Sequence, residues 1–388
     1  MICWEYYSLD LAIHCWYDGA RLQFIPPSPK DGRTMNTLRF ALLGCGRIAK
    51  KHAEILAKQI PDAGIAAVCD INAARAEEYG KKYQVPYYTD LHEMMKRSGD
   101  RIDVVNVLTP SGSHAEHTVQ LARYGKHIVV EKPMALTIDD ADNMIRACDQ
   151  AGSKLFVVKQ NRYNYPVQKL RAAMEEGRFG KLVLGTVRVR WCRDQKYYDQ
   201  DAWRGTWRYD GGVFTNQASH HVDLLEWMMG DVESVFAKSA TQLVKIEAED
   251  TGVVVLKFMN GALGVIEATT ATRPRDLEGS ISILGEKGTV EIGGFAVNEM
   301  KTWNFTDSRP DDAEVIAKYR QNPPDVYGFG HVEYLKNVID SIRHNRKALV
   351  DGLEGRKSLE LITAIYESIE TGKEVFLRFI PKQCRLGR

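Results

Sequence analysis

The stretch LRFALLGCGRIAKKHAEIL, residues 38–56, decides the fold. Its opening apolar run, Leu38–Leu43, is too short for a helix and reads as a buried strand. Gly44-x-Gly46-x-x-Ala49 follows, then an apolar pattern of helical period. That spacing marks the turn from strand to helix in dinucleotide-binding sheets. Gly44 permits the tight turn, Gly46 lets backbone approach a pyrophosphate, and Ala49 lets helix pack on strand. The unpaired N–H groups around Arg47 and Ile48 would face the anion. A second strand, GIAAVCD, ends at Asp70, where the ribose of a dinucleotide is expected. A carboxylate there accepts from a 2′-hydroxyl and repels a 2′-phosphate. Ile71 and Asn72 follow it, not an arginine, so the expected cofactor is NAD, not NADP. The alternative makes Asp70 only the cap of the next helix.

Outward from this stretch the alternation persists. RIDVVNVLTP, KHIVVEKP and KLFVVKQN read as strands; SHAEHTVQLARYG and TIDDADNMIRACDQAG read as helices, the latter starting at Thr137. Strands alternating with helices imply a parallel, doubly wound sheet, which binds ligands beyond the carboxyl ends of its strands. Polar clusters fall at those ends: Thr109-Pro110-Ser111, Glu131-Lys132-Pro133 and Lys159-Gln160-Asn161-Arg162. His114 and His117, three apart, lack a carboxylate or cysteine to complete a metal site, so no metal is expected. From Lys181 the texture changes. KLVLGTVRVRW and the runs after it alternate apolar and polar residues, as half-exposed antiparallel strands do. Asn260-Gly261 and the GEKG at 285–288 read as hairpin turns. Two late helices, about Val332–Arg343 and Leu353–Glu370, and a short strand EVFLRF come next, and FIPKQCRLGR reads as a frayed tail. The expected division is 37–160 for NAD and 161–380 for substrate and oligomerisation. The second sheet's small and β-branched residues predict a homo-oligomer, dimer or tetramer, formed through it.

Composition bounds the function. The 388 residues are 44% hydrophobic and 27% charged, with a net charge of +1, so no field draws the chain to nucleic acid or an anionic membrane. The longest apolar runs fall short of a bilayer span. Seven scattered cysteines without a C-x-x-C suit reduced thiols in the cytoplasm. Residues 1–36 lack a basic start followed by an apolar core, so they make a poor signal peptide; they read as an extension upstream of a true start at Met35.

The run T-P-x-x-x-H at 109–114, then G-K-H-x-x-x-E-K-P at 125–133, resembles the Gfo/Idh/MocA oxidoreductases (glucose–fructose oxidoreductase, inositol dehydrogenase and rhizopine-catabolism proteins). The resemblance extends from about Leu38 to Leu377. It implies a Rossmann domain followed by an α+β domain with a large, mostly antiparallel open sheet, and it implies that Lys132 is the active-site lysine. It also implies that Thr109, Pro110, His114, Glu131 and Gln160 line the cofactor. The family's second signature, G-G-x-x-x-D-x-x-x-H, is met here by Gly211-Gly212, Asn216 and His220. The resemblance makes His220 the catalytic histidine. Asn216 stands where many members carry aspartate, and an amide orients but brings no charge. A narrower resemblance, carried by VKQNRYN, WRGTW, GGVFTNQASHHVDLLEWMMG and VYGFGH, is to UDP-N-acetyl-D-glucosaminuronate 3-dehydrogenases of bacterial O-antigen synthesis.

Read without that resemblance, residues 211–230 leave a choice. Asn216 and His220 share a helix face, whereas His220 and His221 diverge by about 100°. Either one ring packs in the core while the other meets solvent, or one is aimed at a substrate. WCRDQKYYDQDAWRGTWRYDGG, 191–212, has the aromatics and arginines of a nucleotide-sugar surface. Its tryptophans, Trp203 and Trp207, could equally be core. The expected substrate contacts are Lys132, Arg162, Tyr198, Trp203, Arg204, Thr206, Asn216, Gln217 and His220. The expected reaction is NAD-dependent oxidation of a sugar C3 hydroxyl. His220 is the general base, Lys132 steadies the reacting oxygen, and Asn216 holds the register. A dehydrogenase for another sugar, glycoside or polyol, and a non-catalytic sensor of NAD and sugar, fit the same residues.

Overall fold

The computed structural model describes residues 37–320, 328–377 and 384–386. The 1–36 extension therefore lies outside the described residues. The first sheet is built from β1 (Leu38–Leu43), β2 (Ala63–Cys69), β3 (Tyr87–Tyr88), β4 (Val104–Val107), β5 (His127–Val130) and β6 (Leu155–Val157). Its order is β3-β2-β1-β4-β5-β6, every pairing parallel. Helices α1 (Arg47–Lys58), α2 (Ala73–Tyr83), α3 (Leu91–Ser98), α4 (His114–Ala122) and α5 (Ile138–Gln150) connect the strands. This is the doubly wound order whose direction reverses between β1 and β4, opening a crevice at the carboxyl edge. Leu43 is in register with Cys69 on one side and Val107 on the other, so Gly44, Asp70 and Leu108 share that edge. Thr137 caps α5 as its sequence predicts, accepting from the Asp140 N–H at 3.1 Å.

The second sheet has eight strands in the order β13-β12-β11-β7-β10-β9-β8-β14. After α6 (Tyr165–Glu175) come β7 (Leu182–Arg190), α7 (Gln195–Tyr198), α8 (Ser219–Met229), β8 (Val232–Ala240), β9 (Thr251–Phe258), β10 (Leu263–Thr269), β11 (Glu278–Gly285), β12 (Gly288–Gly293) and β13 (Glu299–Phe305). Then follow α9 (Asp312–Lys318), α10 (Gly330–Arg343), α11 (Gly352–Thr371) and β14 (Val375–Phe376). All neighbours are antiparallel except β7 and β10. Both expected hairpins are present: Gly261 takes φ +86° between β9 and β10, and Glu286-Lys287 joins β11 to β12.

One face of this sheet carries α8 and α11 over Val187, Val189, Val254, Leu256, Ile266 and Ile281, all buried. Each such side chain contributes about 1.5–3 kcal/mol by leaving water. Gly185 brings α8 close, because a Cβ there would stand 2.7 Å from the Met229 side chain. The other face is open. Cross-strand neighbours Phe236, Val255 and Val265 form an apolar row on it, beside a lattice of Arg188 and Arg190 paired with Glu267, Glu278 and Glu291.

Two features go beyond the expected layout. The linear division at residue 160 is crossed by α10, whose Tyr334, Leu335, Val338 and Ile339 join Phe40, Leu42, Ala49 and Val104 in one apolar cluster of the first domain. The helix has an apolar stripe that packs on the first sheet's layer. The tail is not frayed where it is described: Cys384 and Leu386 are buried, and Arg385 lies 4.4 Å over the Trp207 ring and pairs with Glu370.

Candidate active site

The glycine turn is shaped for a ligand. Gly44 has φ +100°, and a Cβ on it would stand 2.7 Å from the Leu108 carbonyl. A Cβ on Gly46 would meet nothing within 4 Å. Gly46 is the N-cap of α1 and has no side chain to occupy the first-turn N–H groups, which begin at exposed Arg47 and part-buried Ile48. Asp70 accepts the Cys45 N–H at 2.7 Å and the Asn72 N–H at 2.8 Å. The cap of α2 is Asn72, which accepts from the Ala74 and Arg75 N–H groups, so capping does not account for Asp70. A carboxylate has lone pairs beyond these two bonds for ribose hydroxyls. This set fits a dinucleotide: open backbone, unpaired N–H groups and an acid at the second strand end.

At the end of β5, Glu131 is held from three sides. His52 of α1 donates to it at 2.9 Å and the Lys132 N–H at 3.1 Å, while the His331 ring of α10 lies edge-on to His52 at 5.7 Å. Asn106 of β4 engages the other nitrogen of His52 at 2.9 Å. Burial alone would raise the Glu131 pKa, but the bond from His52 and the charges of His52, His331 and Lys132 hold it at about 2. Thr109 bonds His117 at 3.0 Å, with Pro110 beside it. Both ring nitrogens of His114 face carbonyls, Pro133 at 2.7 Å and Thr109 at 2.8 Å, and the one that carries hydrogen donates. It therefore braces the Lys132–Pro133 turn, a cis bond.

The second domain supplies the opposite wall. Gly211 has φ +74°, and a Cβ on Gly212 would collide with the Glu249 carboxylate. That carboxylate accepts the Phe214 N–H at 3.1 Å and the Tyr366 hydroxyl at 2.9 Å; Tyr366 in turn accepts the Gly212 N–H at 3.1 Å. The loop so anchored carries Asn216, whose carbonyl accepts Lys132 Nζ at 2.7 Å and whose Oδ1 lies 3.5 Å from it. His220 sits one turn later, its Nε2 at 2.9 Å from the Gln160 amide. Burial, and then the charges of Lys132 and Lys159, hold the His220 pKa well below the ordinary range. Burial likewise lowers that of Lys132. The charge of Lys132, carried by the other domain, is thus felt at the His220 imidazole.

The two adjacent histidines separate as the helix period requires. His221 is fully buried, packs edge-on to Trp191 at 5.9 Å, and has no hydrogen-bond partner on either nitrogen among the described residues; burial pushes its pKa down to about 3. It is the core histidine.

Arg162 is turned away from the expected role. It is 3% exposed, forks onto Asp223 at 2.8 and 2.9 Å and reaches Glu354 at 3.2 Å. Two carboxylates occupy its donors, so it locks α8 to α11 and leaves no charge for a substrate. Tyr198 is buried with its hydroxyl on Thr270 at 3.1 Å. Trp207 is buried against Tyr366, whereas Trp203 is part-buried and lies 4.5 Å from the Arg204 guanidinium. Arg204 also reaches Asp201 and the Tyr197 hydroxyl, each at 3.1 Å, and its charge acts on Lys132. Thr206 bonds the Trp203 carbonyl at 2.7 Å, and Gln217 is buried beside Asn216.

Sequence reasoning missed Asp210 and Gly112, and named Lys159 only within a polar cluster. Asp210, 1% exposed, accepts from the Asn216 amide and from the Gly205 N–H at 2.8 Å. Gly112 donates to the Tyr209 carbonyl at 3.0 Å, and a Cβ there would stand 2.5 Å from the Arg208 carbonyl, so its lack of a side chain lets the loop dock. Lys159 is buried on Ser358 at 2.6 Å. The one available signal was a carboxylate directly before the paired glycines.

A dinucleotide-shaped Rossmann edge facing a lysine and a neutral imidazole defines an NAD-dependent oxidoreductase. Residues 38–159 match the oxidoreductase family's NAD-binding Rossmann fold and residues 171–377 its C-terminal alpha/beta domain. The chain belongs to the Gfo/Idh/MocA oxidoreductase family, and is an NAD-dependent sugar dehydrogenase. It is similar to the WlbA dehydrogenase of Bordetella pertussis, solved with NADH and UDP-GlcNAcA. The two are 45% identical, with a TM-score of 0.86 over 90% of this chain and 100% of that one. The WlbA dehydrogenase of Chromobacterium violaceum, solved with the same ligands, is 44% identical, with a TM-score of 0.83 over 92% and 100%. The myo-inositol 2-dehydrogenase of Thermotoga maritima is 31% identical over 88% of this chain and 98% of its own.

Proposed function

We propose that this enzyme oxidises the C3 hydroxyl of a UDP-linked N-acetylhexosaminuronate to the 3-keto sugar. The observation that carries the reading is that Lys132 Nζ lies 2.7 Å from the Asn216 carbonyl, one helical turn before His220. The similarity to two dehydrogenases solved with NADH and UDP-GlcNAcA supports the choice of sugar. When bound, NAD supplies the hydride acceptor. Gly46, Arg47 and Ile48 would hold its pyrophosphate and Asp70 its adenosine ribose, with Ile71, 95% exposed, offering apolar cover to the adenine.

His220 takes the hydroxyl proton, because a buried imidazole kept neutral at pH 7 is a base free to accept it. Lys132 donates a hydrogen bond to the same oxygen and steadies the charge that grows there as C3–H breaks. Gln160 sets the plane of the His220 ring. Arg204, with Trp203 stacked on it, is the guanidinium best placed for the sugar carboxylate or diphosphate. The open face of the second sheet, with its Phe236–Val255–Val265 row, suits pairing with a second copy, and the reduced buried cysteines suit the cytoplasm.

The test is NADH absorbance with UDP-N-acetylglucosaminuronate, UDP-N-acetylglucosamine, myo-inositol and a free glucoside. Turnover is expected with the first at a kcat/KM at least about a hundredfold above the others. Preference for myo-inositol or the glucoside would overturn the choice of substrate.

A further inference from the structure

Asn216 occupies a place where an aspartate was expected, yet the site does not lack a carboxylate. Asp210 lies behind Asn216, 1% exposed, with Oδ1 accepting from the Asn216 Nδ2 and Oδ2 from the Gly205 N–H at 2.8 Å. Its own N–H donates to the Thr206 carbonyl at 3.1 Å, and the loop holding it is docked on Gly112. Because Asp210 takes the NH2 end of the Asn216 amide, the oxygen end is left toward Lys132 Nζ. The order across the site is therefore carboxylate, amide, ammonium.

We propose that Asp210, acting through the Asn216 amide, is the positioning residue that fixes the aim and the charge of Lys132. This rests on the reading of Lys132 as the group that steadies the reacting oxygen. Asp210 neither touches the substrate nor exchanges a proton with it. The arrangement moves the negative charge back by one side chain. A UDP-uronate is an anion several times over, and a bare carboxylate at position 216 would repel it. A buried carboxylate screened by an amide still acts on Lys132 while presenting the substrate with a neutral group.

The electrostatics agree with the geometry. Burial pushes the Asp210 carboxyl up to about 6, against the Gly205 and Asn216 hydrogen bonds and the charges of Lys132 and Arg204, which pull it down. Burial lowers Lys132; Glu131 and Asp210 oppose this, while Lys159 and Arg204 reinforce it. Glu249, beneath the same loop, feels Asp210 as a like charge. Asp210 is thus one of two carboxylates whose charge opposes the lowering of the Lys132 pKa.

The test compares wild type, Asp210→Asn, and the transposed pair Asp210→Asn with Asn216→Asp. Two readouts are used: the pH profile of kcat, and the pH dependence of Lys132 acetylation by trace acetic anhydride, read by peptide mass spectrometry without substrate. In Asp210→Asn two amides face each other, so Asn216 turns its NH2 end toward the ammonium. The labelling midpoint should fall by about one pH unit. The kcat limb that follows Lys132 should move the same way, with kcat down about 10- to 100-fold at pH 7 and NADH affinity unchanged. The transposed pair should return the midpoint to within about 0.3 unit, with KM for the anionic sugar raised. An unmoved midpoint in Asp210→Asn, or one that the transposed pair fails to restore, overturns the proposal. So does a midpoint that moves while the kcat profile stays put. Wild type that labels as expected yet turns over no sugar would instead sink the substrate reading.

Discussion

A Cβ built on Gly46 would meet nothing within 4 Å, whereas one built on Gly212 would run into the Glu249 carboxylate. Both glycines sit in loops that lead into the start of a helix, and both belong to motifs that the sequence singles out. The first loop is shaped around something that has to arrive. The second is shaped around the protein's own interior: Glu249 and Tyr366 fill the space and tie down the segment that carries Asn216 and His220. The open side of Gly46 belongs to the expected binding surface, and the filled side of Gly212 to the footing of the opposite wall.

The largest effect separating the loops is catalytic. His220→Ala should lower kcat by about 10²–10⁴-fold while NADH affinity, measured by fluorescence titration, stays within about twofold of wild type. An equal loss in both would mean that the two loops are not independent. Next comes Gly212→Ala, which should destabilise the fold by about 3 kcal/mol in urea unfolding, as overpacking does, and lower turnover with it. Adding Glu249→Ala should recover part of the stability; no recovery would mean that Glu249 is not the obstacle.

A pH effect should distinguish the filled loop further. Burial pushes the Glu249 carboxyl up to about 7 from an ordinary 4.5, so the folded chain keeps a proton that the unfolded chain releases. Its contribution to stability therefore falls as pH rises through that window and is flat above it. Glu249→Gln removes this dependence. The stability of the variant relative to wild type should climb by about 2–3 kcal/mol from pH 4.5 to 7.5, and a constant difference would refute the shift. Smallest is Gly46→Ala, whose backbone, φ −81°, suits alanine. Unfolding of the free protein should be unchanged, while NAD binding weakens about tenfold, ~1.4 kcal/mol, by calorimetry.

The first sheet was legible because its information is local. The Gly44–Ala49 turn, the Thr137 cap and the strand–helix alternation each lie within one element and its neighbour. Lys132, Asn216 and His220 were singled out as catalytic only through the resemblance of two motifs to a known family. What stayed hidden depends on partners far along the chain. Arg162 looked available until Asp223 and Glu354, 61 and 192 residues away, were seen to hold it. Asp210 gained its meaning only from the amide of Asn216 and the docking of its loop on Gly112. The stripe on α10 was readable as a helix face, but not which sheet would cover it. The tail looked polar and free because the contact of Arg385 with Trp207 spans half the chain.

That return of α10 governs how the enzyme can be taken apart. A fragment cut after residue 160 would bare the flank of the first sheet that Tyr334, Leu335, Val338 and Ile339 cover, and would also lose His331 beside His52. Anyone borrowing the nucleotide-holding half as a stand-alone module must graft residues 330–348 back onto it.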